Sequence, residues 1–277
     1  MVKTLASPVF YKKAPPHTIN QSCFCLVERQ PFDQDSYVNG VLKAALDLVF
    51  PRSCVHCGDA IESSPYEYVC SGCEQDILPC LPPACMTCGY PFFGAVIGPK
   101  VCPHCIDLDP VFDQGKTLLI AKGAGRSMLH NLKYQRGFYV LKDLRRIVTT
   151  TRHYLEYIQN ATLVPVPLHP TKLRERGFNQ SERIAEMLIS STNGSSKLEN
   201  LLIRKVYTQT QTRLNHAERH RNVKNAFALA PNTVLIPDEQ YILVDDVFTT
   251  GSTLNACARV LRDAGATRLK VVTIGHG

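Results

Sequence analysis

Apolar residues gather in four short runs in the second half of the chain, and polar or turn-forming residues bound each run. Runs of this length predict buried strands. They cover residues 117–121, 162–167, 241–244 and 269–274. Helical spacing of apolar residues separates them, at 138–157, 180–188 and 252–263. Strands that alternate with helices predict an α/β domain in which helices cover both faces of a parallel sheet.

The first 110 residues lack this alternation. Residues 1–40 show no hydrophobic periodicity and predict a disordered leader, without the apolar core of a signal peptide. Residues 41–50 have helical spacing that ends before Pro51, and a segment rich in cysteine, proline and glycine follows. We therefore expect a leader at 1–40, a metal-stabilised module at 41–110, an α/β domain at 111–277, and a cytoplasmic location.

Eight of the twelve cysteines form C-x-x-C pairs, separated by gaps of 12, 11 and 13 residues. The pairs are Cys54/Cys57, Cys70/Cys73, Cys85/Cys88 and Cys102/Cys105. Without an oxidising compartment this pattern favours zinc over disulfides. Two complete sets of four thiolates predict two structural Zn²⁺ ions with no open coordination position. Consecutive pairs are the favoured ligand sets, and a cross-braced arrangement of the first pair with the third is the alternative.

Other residues near these pairs are expected to be bystanders. His56 and His104 lie inside pairs and are predicted to be exposed. Four cysteines have no matching partner and are interpreted as ordinary thiols: Cys23, Cys25, Cys80 and Cys257.

Residues 241–253 join an apolar strand to two acids, a hydroxyl-rich turn and the start of a helix. A helix N-terminus presents backbone N–H groups and partial positive charge, which suit a phosphate monoester. The predicted phosphate ligands are Thr249, Thr250, Gly251, Ser252 and Thr253. Asp245 and Asp246 would repel a phosphate, so we expect them to accept hydrogen bonds from sugar hydroxyls beside it.

Basic residues are concentrated in the middle of the chain. Residues 119–225 carry 19 Lys/Arg against 7 Asp/Glu, whereas the whole chain has a net charge of +7, and this asymmetry indicates a polyanionic partner. Within this region Lys172, Arg174 and Arg176 follow a strand and suit a pyrophosphate. Residues 204–227 are interpreted as a mobile basic loop and a short helix, with a solvated charged loop as the alternative.

The segment 241–253 resembles the phosphoribosyl-pyrophosphate motif of type I phosphoribosyltransferases, with Phe248 as a mild departure. The motifs P-V-P…R-E-R-G-F-N-Q, T-x-x-Q-x-x-L…R-x-N-V-x-x-A-F and D-D-V-F-T-T-G-S-T, behind a cysteine module, resemble the ComF family. Its members are phosphoribosyltransferase-like bacterial proteins linked to DNA uptake in natural competence. Residues 132–137 are similar to the family's L-K-Y-x-G element, although Arg136 stands before the glycine.

The resemblance implies a Rossmann-type parallel sheet preceded by a small zinc-ribbon or treble-clef-like module. It implies that Asp245 and Asp246 contact the ribose 2′ and 3′ hydroxyls, that residues 249–253 hold the 5′-phosphate, and that Mg²⁺ accompanies phosphoribosyl pyrophosphate. The further ligand-binding residues are expected to be Lys172, Arg174, Arg176 and Arg204.

Three functions of different classes are compatible with these features. The first is a phosphoribosyltransferase of nucleoside metabolism with an unknown acceptor. Only 24 residues follow Thr253, which leaves no C-terminal hood over an acceptor, and the zinc module is a hypothetical substitute. The second is a single-stranded-DNA-binding competence factor, with stacking on Tyr134, Tyr139, Tyr154, Tyr157 and Tyr207. The third is a sensor of phosphoribosyl pyrophosphate without turnover.

Overall fold

A computed structural model describes residues 52–94, 96–98, 100–206 and 226–277, which belong to one structural unit, Asp47–Gly277. The predicted leader, the predicted helix at 41–50, Cys23 and Cys25, and residues 207–225 of the predicted basic loop lie outside the described residues.

The described strands form a five-stranded parallel sheet and a separate antiparallel pair. The sheet has the order β1-β7-β6-β2-β3, and its strands are β1 Gln114–Ile120, β2 Thr162–Pro165, β3 Lys197–Leu198, β6 Gln240–Phe248 and β7 Arg268–His276. The antiparallel pair joins β4 Leu202–Arg204 to β5 Phe227–Leu229. The predicted parallel α/β sheet is confirmed.

Seven α-helices lie within the described residues. They are α1 Ser71–Glu74, α2 Gly123–Tyr134, α3 Leu141–Thr150, α4 Arg152–Ile158, α5 Pro170–Arg176, α6 Gln180–Ser191 and α7 Ser252–Asp263. Single 3₁₀ turns cover Pro103–Cys105 and Phe138–Val140. No helix in this described part is long and apolar enough to span a bilayer.

The single helix predicted over 138–157 is wrong, because the structure divides this range into a 3₁₀ turn and the two helices α3 and α4. The backbone at Thr151 leaves the helical region, with φ −95° and ψ 78°. Just before it, the hydroxyls of Thr149 and Thr150 both donate to the carbonyl of Arg146. Such back-bonding competes with a regular helix, and three successive β-branched threonines add to the effect.

Two hydrophobic clusters cover the two faces of the sheet. Ile242 and Val244 of β6 belong to one cluster, together with α2, α3, α4 and α6. Tyr241 and Leu243 belong to the other, together with α7 and the β4–β5 pair. Because side chains alternate along a strand, these clusters lie on opposite faces, as predicted.

The cysteine-rich segment packs along the outer edge of β1. Cys80 N donates to Leu118 O (2.9 Å), Ile120 N donates to Leu78 O (2.8 Å), and Gly115 N donates to Met86 O (3.0 Å). The contact is close: a Cβ added at Gly115 would lie 2.1 Å from Thr87 O. The segment therefore protects a sheet edge that would otherwise expose unpaired backbone groups.

Candidate functional site

The eight paired cysteines form two tetrads. The first contains Cys54, Cys57, Cys70 and Cys73, and the second contains Cys85, Cys88, Cys102 and Cys105. Within each tetrad all sulfur atoms lie within 4.8 Å of one another, so the structure groups the pairs consecutively rather than cross-braced.

These tetrads fit structural zinc. Zn–S bonds of about 2.3 Å in a tetrahedron place the sulfurs about 3.8 Å apart, and Cys57–Cys70 and Cys88–Cys102 are separated by 3.7 Å and 3.5 Å. Backbone N–H groups also point at the sulfurs, for example Cys102 N at Cys85 Sγ (3.3 Å). Four thiolates per site supply a complete ligand set, which stabilises the fold rather than serving chemistry.

The glycines that follow two of the pairs permit a tight turn. Gly58 and Gly89 have φ angles of +86° and +79°, which other residues rarely adopt. His104 is exposed as predicted, but it is more than a bystander, since its ring contacts Tyr90 and His276. His56 is exposed and lies 3.8 Å from Asp76. Cys80 and Cys257 are buried thiols.

A crevice for a ligand is expected between β2 and β6. In the sheet, β3 lies next to β2 on one side of this pair, and β7 lies next to β6 on the other side. The chain therefore continues from β2 and from β6 in opposite directions across the sheet. Such a topological switch point opens a crevice at the carboxyl ends of the strands. The basic segment that contains Lys172, Arg174 and Arg176 follows the end of β2, and the hydroxyl-rich turn 249–253 follows the end of β6.

The acid pair lies inside β6 rather than after it. The apolar run predicts a strand that stops at Val244, but parallel pairing to β7 continues from Asp245↔Thr273 to Phe248↔His276. Val247 and Phe248 are the reason, because their apolar side chains pack against the two core clusters. The carboxylates therefore stand on a fixed strand.

Asp245 is held by two hydrogen bonds. Its Oδ1 accepts from Ser181 Oγ (2.9 Å) and from Asp246 N (2.9 Å). Burial, and next the charge of Asp246, raise the pKa of Asp245 to about 7, although these hydrogen bonds oppose the shift. At neutral pH its carboxyl group is therefore divided between the two protonation states.

Lys133 is the counter-charge of the acid pair. Its Nζ lies 3.0 Å from Asp246 Oδ2, and the Asp246 side chain is only 8% exposed. Burial acts to lower the pKa of Lys133, but the neighbouring charges of Asp246 and Asp245 outweigh it and raise the pKa. Lys133 is the second-last residue of α2 and belongs to the L-K-Y element, yet sequence reasoning assigned it no role at the site.

Residues 249–253 form a tight turn, which we call the phosphate turn. Gly251 has φ +70° and lacks room for a side chain, because an added Cβ would lie 2.6 Å from Phe248 and 2.7 Å from Leu108. The helix α7 starts without a side-chain cap, so its first N–H groups suit an anion. Thr250 Oγ1 and Ser252 Oγ lie 2.8 Å apart. Thr249 is exposed, and Thr253 is half-buried.

The three predicted pyrophosphate ligands lie on the short helix α5. Arg176 contacts Gln180 and lies over the ring of Tyr134, 5.9 Å from its centroid. Lys172 pairs with Glu175 (2.7 Å), and Arg174 is exposed. Tyr134 is the neighbour of Lys133, so α2, α5 and β6 are linked around the crevice.

Arg204 ends β4 and lies near the same site. Burial lowers the pKa of Arg204, while the neighbouring Asp245 carboxylate opposes this shift. Its guanidinium also lies over the ring of Phe227, 5.3 Å from the centroid. Lys205 is exposed, and the remaining basic residues of the predicted loop lie outside the described residues.

Comparison with known proteins places this architecture in a family. Residues 45–106 match the double zinc ribbon domain, and residues 181–275 match the phosphoribosyl transferase domain. Competence protein F of Haemophilus influenzae is 30% identical over 230 residues, which are 80% of this chain and 96% of that protein. The chain belongs to the competence protein F (ComF) family. The segment that matches the phosphoribosyl transferase domain contains β3 to β6 and all but the last residue of β7, and the cysteine-rich segment matches the double zinc ribbon.

Two further proteins illustrate the range of similarity. DNA utilization protein YhgH of Escherichia coli K12 is 29% identical to this ComF-family chain over 191 residues, 68% of this chain and 81% of that protein. A hypoxanthine phosphoribosyltransferase of Staphylococcus aureus superposes with a TM-score of 0.31 and 13% identity, over 48% of this chain and 62% of that chain. That superposition is too poor to support a conclusion.

Proposed function

We propose that this protein binds phosphoribosyl pyrophosphate with Mg²⁺ in the crevice between β2 and β6 and acts as a ComF-type factor in DNA uptake. The observation that carries the proposal is an acid pair fixed on a strand, next to an anion-binding turn, at the switch point of a parallel sheet. The names of the relatives, competence protein F and DNA utilization protein, support the DNA-related role.

Each part of the ligand has a chemically matched group. Asp245 and Asp246 accept hydrogen bonds from the ribose hydroxyls, and the phosphate turn donates to the 5′-phosphate. Lys172, Arg174, Arg176 and Arg204 offset the charge of the pyrophosphate. Carboxylates together with ligand phosphates are the donors that Mg²⁺ prefers, and Lys133 already takes one side of Asp246. The residues therefore fit a Mg²⁺ ion that arrives with the ligand and neutralises its pyrophosphate.

Phosphoribosyl transfer and ligand sensing are the two outcomes of such binding. In transfer, a nucleophile forms a bond to C1′ as the bond from C1′ to pyrophosphate breaks, and catalysis comes mainly from positioning and electrostatics. Basic groups on α5 can stabilise the leaving group. A sensor would bind the same ligand and release no pyrophosphate.

Direct binding of single-stranded DNA is a second candidate. Exposed Tyr134 and Tyr139, at 65% and 41%, can offer stacking surfaces beside basic residues. Tyr154 is fully buried, so the stacking role predicted for it is wrong. Tyr157 is half-buried, and its hydroxyl donates to Gln114 O. Affinity for DNA should fall with salt, with a slope of about −0.7 in log K against log salt per contacted phosphate.

Calorimetry tests the main proposal. Wild type should bind phosphoribosyl pyrophosphate in the presence of Mg²⁺, the double variant D245A/D246A should not, and D263A is the matched control, because Asp263 is an exposed acid at the end of α7. Equal affinity in all three proteins would contradict the ribose assignment. Pyrophosphate release from isotope-labelled substrate with a panel of bases then separates an enzyme from a sensor.

A further inference from the structure

Asn255 connects the phosphate turn to the segment that leaves the second tetrad. Its side chain, in the first turn of α7, is 4% exposed. Its Nδ2 donates to Leu108 O (3.1 Å) and Asp109 O (3.0 Å), and its Oδ1 accepts from Val111 N (2.9 Å). One short segment, beginning three residues after Cys105, thus uses both donors and the acceptor of the amide.

Ring contacts provide a second connection between the same parts. Tyr90 and His104, from the region of the second tetrad, contact the buried ring of His276 with centroid distances of 4.7 Å and 5.2 Å. His276 stacks on Phe248 at 5.5 Å. Phe248 immediately precedes the phosphate turn, and Leu108 packs against Gly251 within that turn. Two independent sets of contacts therefore reach the turn from the second tetrad.

The first tetrad is anchored elsewhere. Asp143 of α3, 2% exposed, accepts hydrogen bonds from Glu67 N (2.7 Å) and Tyr68 N (2.8 Å), between the cysteine pairs of that tetrad. Cys54 and Cys73 belong to the cluster on the α3 face of the sheet, whereas all four cysteines of the second tetrad belong to the cluster that contains α7. Asp143 is thus the counterpart of Asn255 on the opposite face.

We propose that the second tetrad positions the phosphate turn through Asn255, and that the first tetrad does not. Metal bound to the second tetrad fixes Cys105, which fixes the segment Leu108–Val111, and Asn255 transmits that order to the first turn of α7. Asn255 is a positioning residue in this arrangement. The nature of the anion rests on the proposed function, but the mechanical connection does not.

Amide hydrogen exchange on the full chain tests this connection without any ligand. Asn255→Ala should accelerate exchange of residues 249–254 by about tenfold or more, since three hydrogen bonds are lost. Zinc content should stay at two per chain, and exchange at 67–77 should not change. Asp143→Ala is the matched control: it should accelerate exchange at 67–77 and leave exchange at 249–254 unchanged. Asn255→Asp keeps the side-chain volume and loses both N–H donors, so it decides the matter if the Ala variant does not fold.

The outcomes separate the two proposals. Unchanged exchange at 249–254 in both Asn255 variants, or equal acceleration there in Asp143→Ala, would overturn the positioning role. A wild-type protein that binds no phosphoribosyl pyrophosphate would overturn the proposed function and leave the exchange result valid. If wild type binds phosphoribosyl pyrophosphate, Asn255→Ala should weaken that binding by about tenfold. Amide exchange in the first-tetrad region should stay unchanged in the same variant.

Discussion

Replacing Asp245 with Asn should stabilise the protein at neutral pH. Two donors, Ser181 Oγ and Asp246 N, meet the same atom, Oδ1 of Asp245. The amide oxygen of an Asn can accept both bonds. The substitution therefore removes a charge that burial and Asp246 disfavour, and it keeps the local hydrogen bonds.

The magnitude follows from the pKa of Asp245. The pKa rises from an ordinary 3.8 to about 7 on folding, so the folded state binds the proton more tightly than the unfolded state. Below pH 3.8 both states are protonated and there is no penalty; the penalty grows between pH 4 and 7 and is complete above 7. Three pH units correspond to about 4 kcal/mol, and because the residue Asp245 as a whole is only half-buried we expect about 2–4 kcal/mol at pH 8.

Denaturant unfolding of wild type and D245N at pH 5.5 and 8 measures this effect. The gain from D245N should be about half as large at pH 5.5 as at pH 8. Because protons compete with zinc for the thiolates, wild type and D245N are compared at equal zinc content at each pH. D263N, at an exposed acid, controls for the loss of one charge. A D245N protein no more stable than wild type at pH 8, or a gain independent of pH, would refute the reasoning.

Three further predictions concern other parts of the molecule. Elemental analysis should return two zinc ions per chain, and Cys54→Ser should lose one of them together with cooperative unfolding of its module. Lys133→Met should weaken binding of phosphoribosyl pyrophosphate by about tenfold in calorimetry, because Asp246 loses its counter-charge, and Lys133→Arg should retain most of the affinity; equal affinity in Met and Arg variants would contradict this. Gly115→Ala should lower the free energy of unfolding by about 3 kcal/mol or more, since its Cβ has no room; a melting temperature equal to wild type would show that the edge of β1 is looser than described.

Most of the fold could be predicted because its signals are local. The apolar runs place four of the strands, and the helix at 252–263 has the predicted bounds. The helix α5 could also have been predicted, because Pro170 stands at its first position and Gly177, with φ +82°, ends it. The extension of β6 through the acids was missed because the two carboxylates interrupt the apolar run. Val247 and Phe248 continue the apolar pattern beyond them, and pairing with β7 extends over the whole strand.

The unpredicted parts of the site are contacts between residues far apart in the chain. Lys133 and Asp246 are separated by more than one hundred positions, as are Asn255 and Leu108, and neither pair leaves a periodic signal. The cysteine pairs are different, because zinc imposes a short spacing within each pair that is visible in the sequence. Even there, consecutive grouping and cross-bracing have the same spacings in the sequence. The two groupings are distinguished only in the folded chain, where the segment packs along β1 and the two tetrads lie on opposite faces of the sheet.

The acid pair is the place where local and global preferences conflict. Two adjacent carboxylates on a central strand disfavour the folded state through burial and mutual repulsion, and one lysine offsets only part of that cost. A sequence shaped for stability alone would place neutral residues here, as D245N would. Ionised carboxylates at these positions are stabilised when ligand hydroxyl groups donate hydrogen bonds to them or when a cation lies beside them. A site that is unfavourable when empty and satisfied when filled is typical of ligand recognition, and its position beside the phosphate turn supports the proposal of a ligand that carries hydroxyls next to a phosphate.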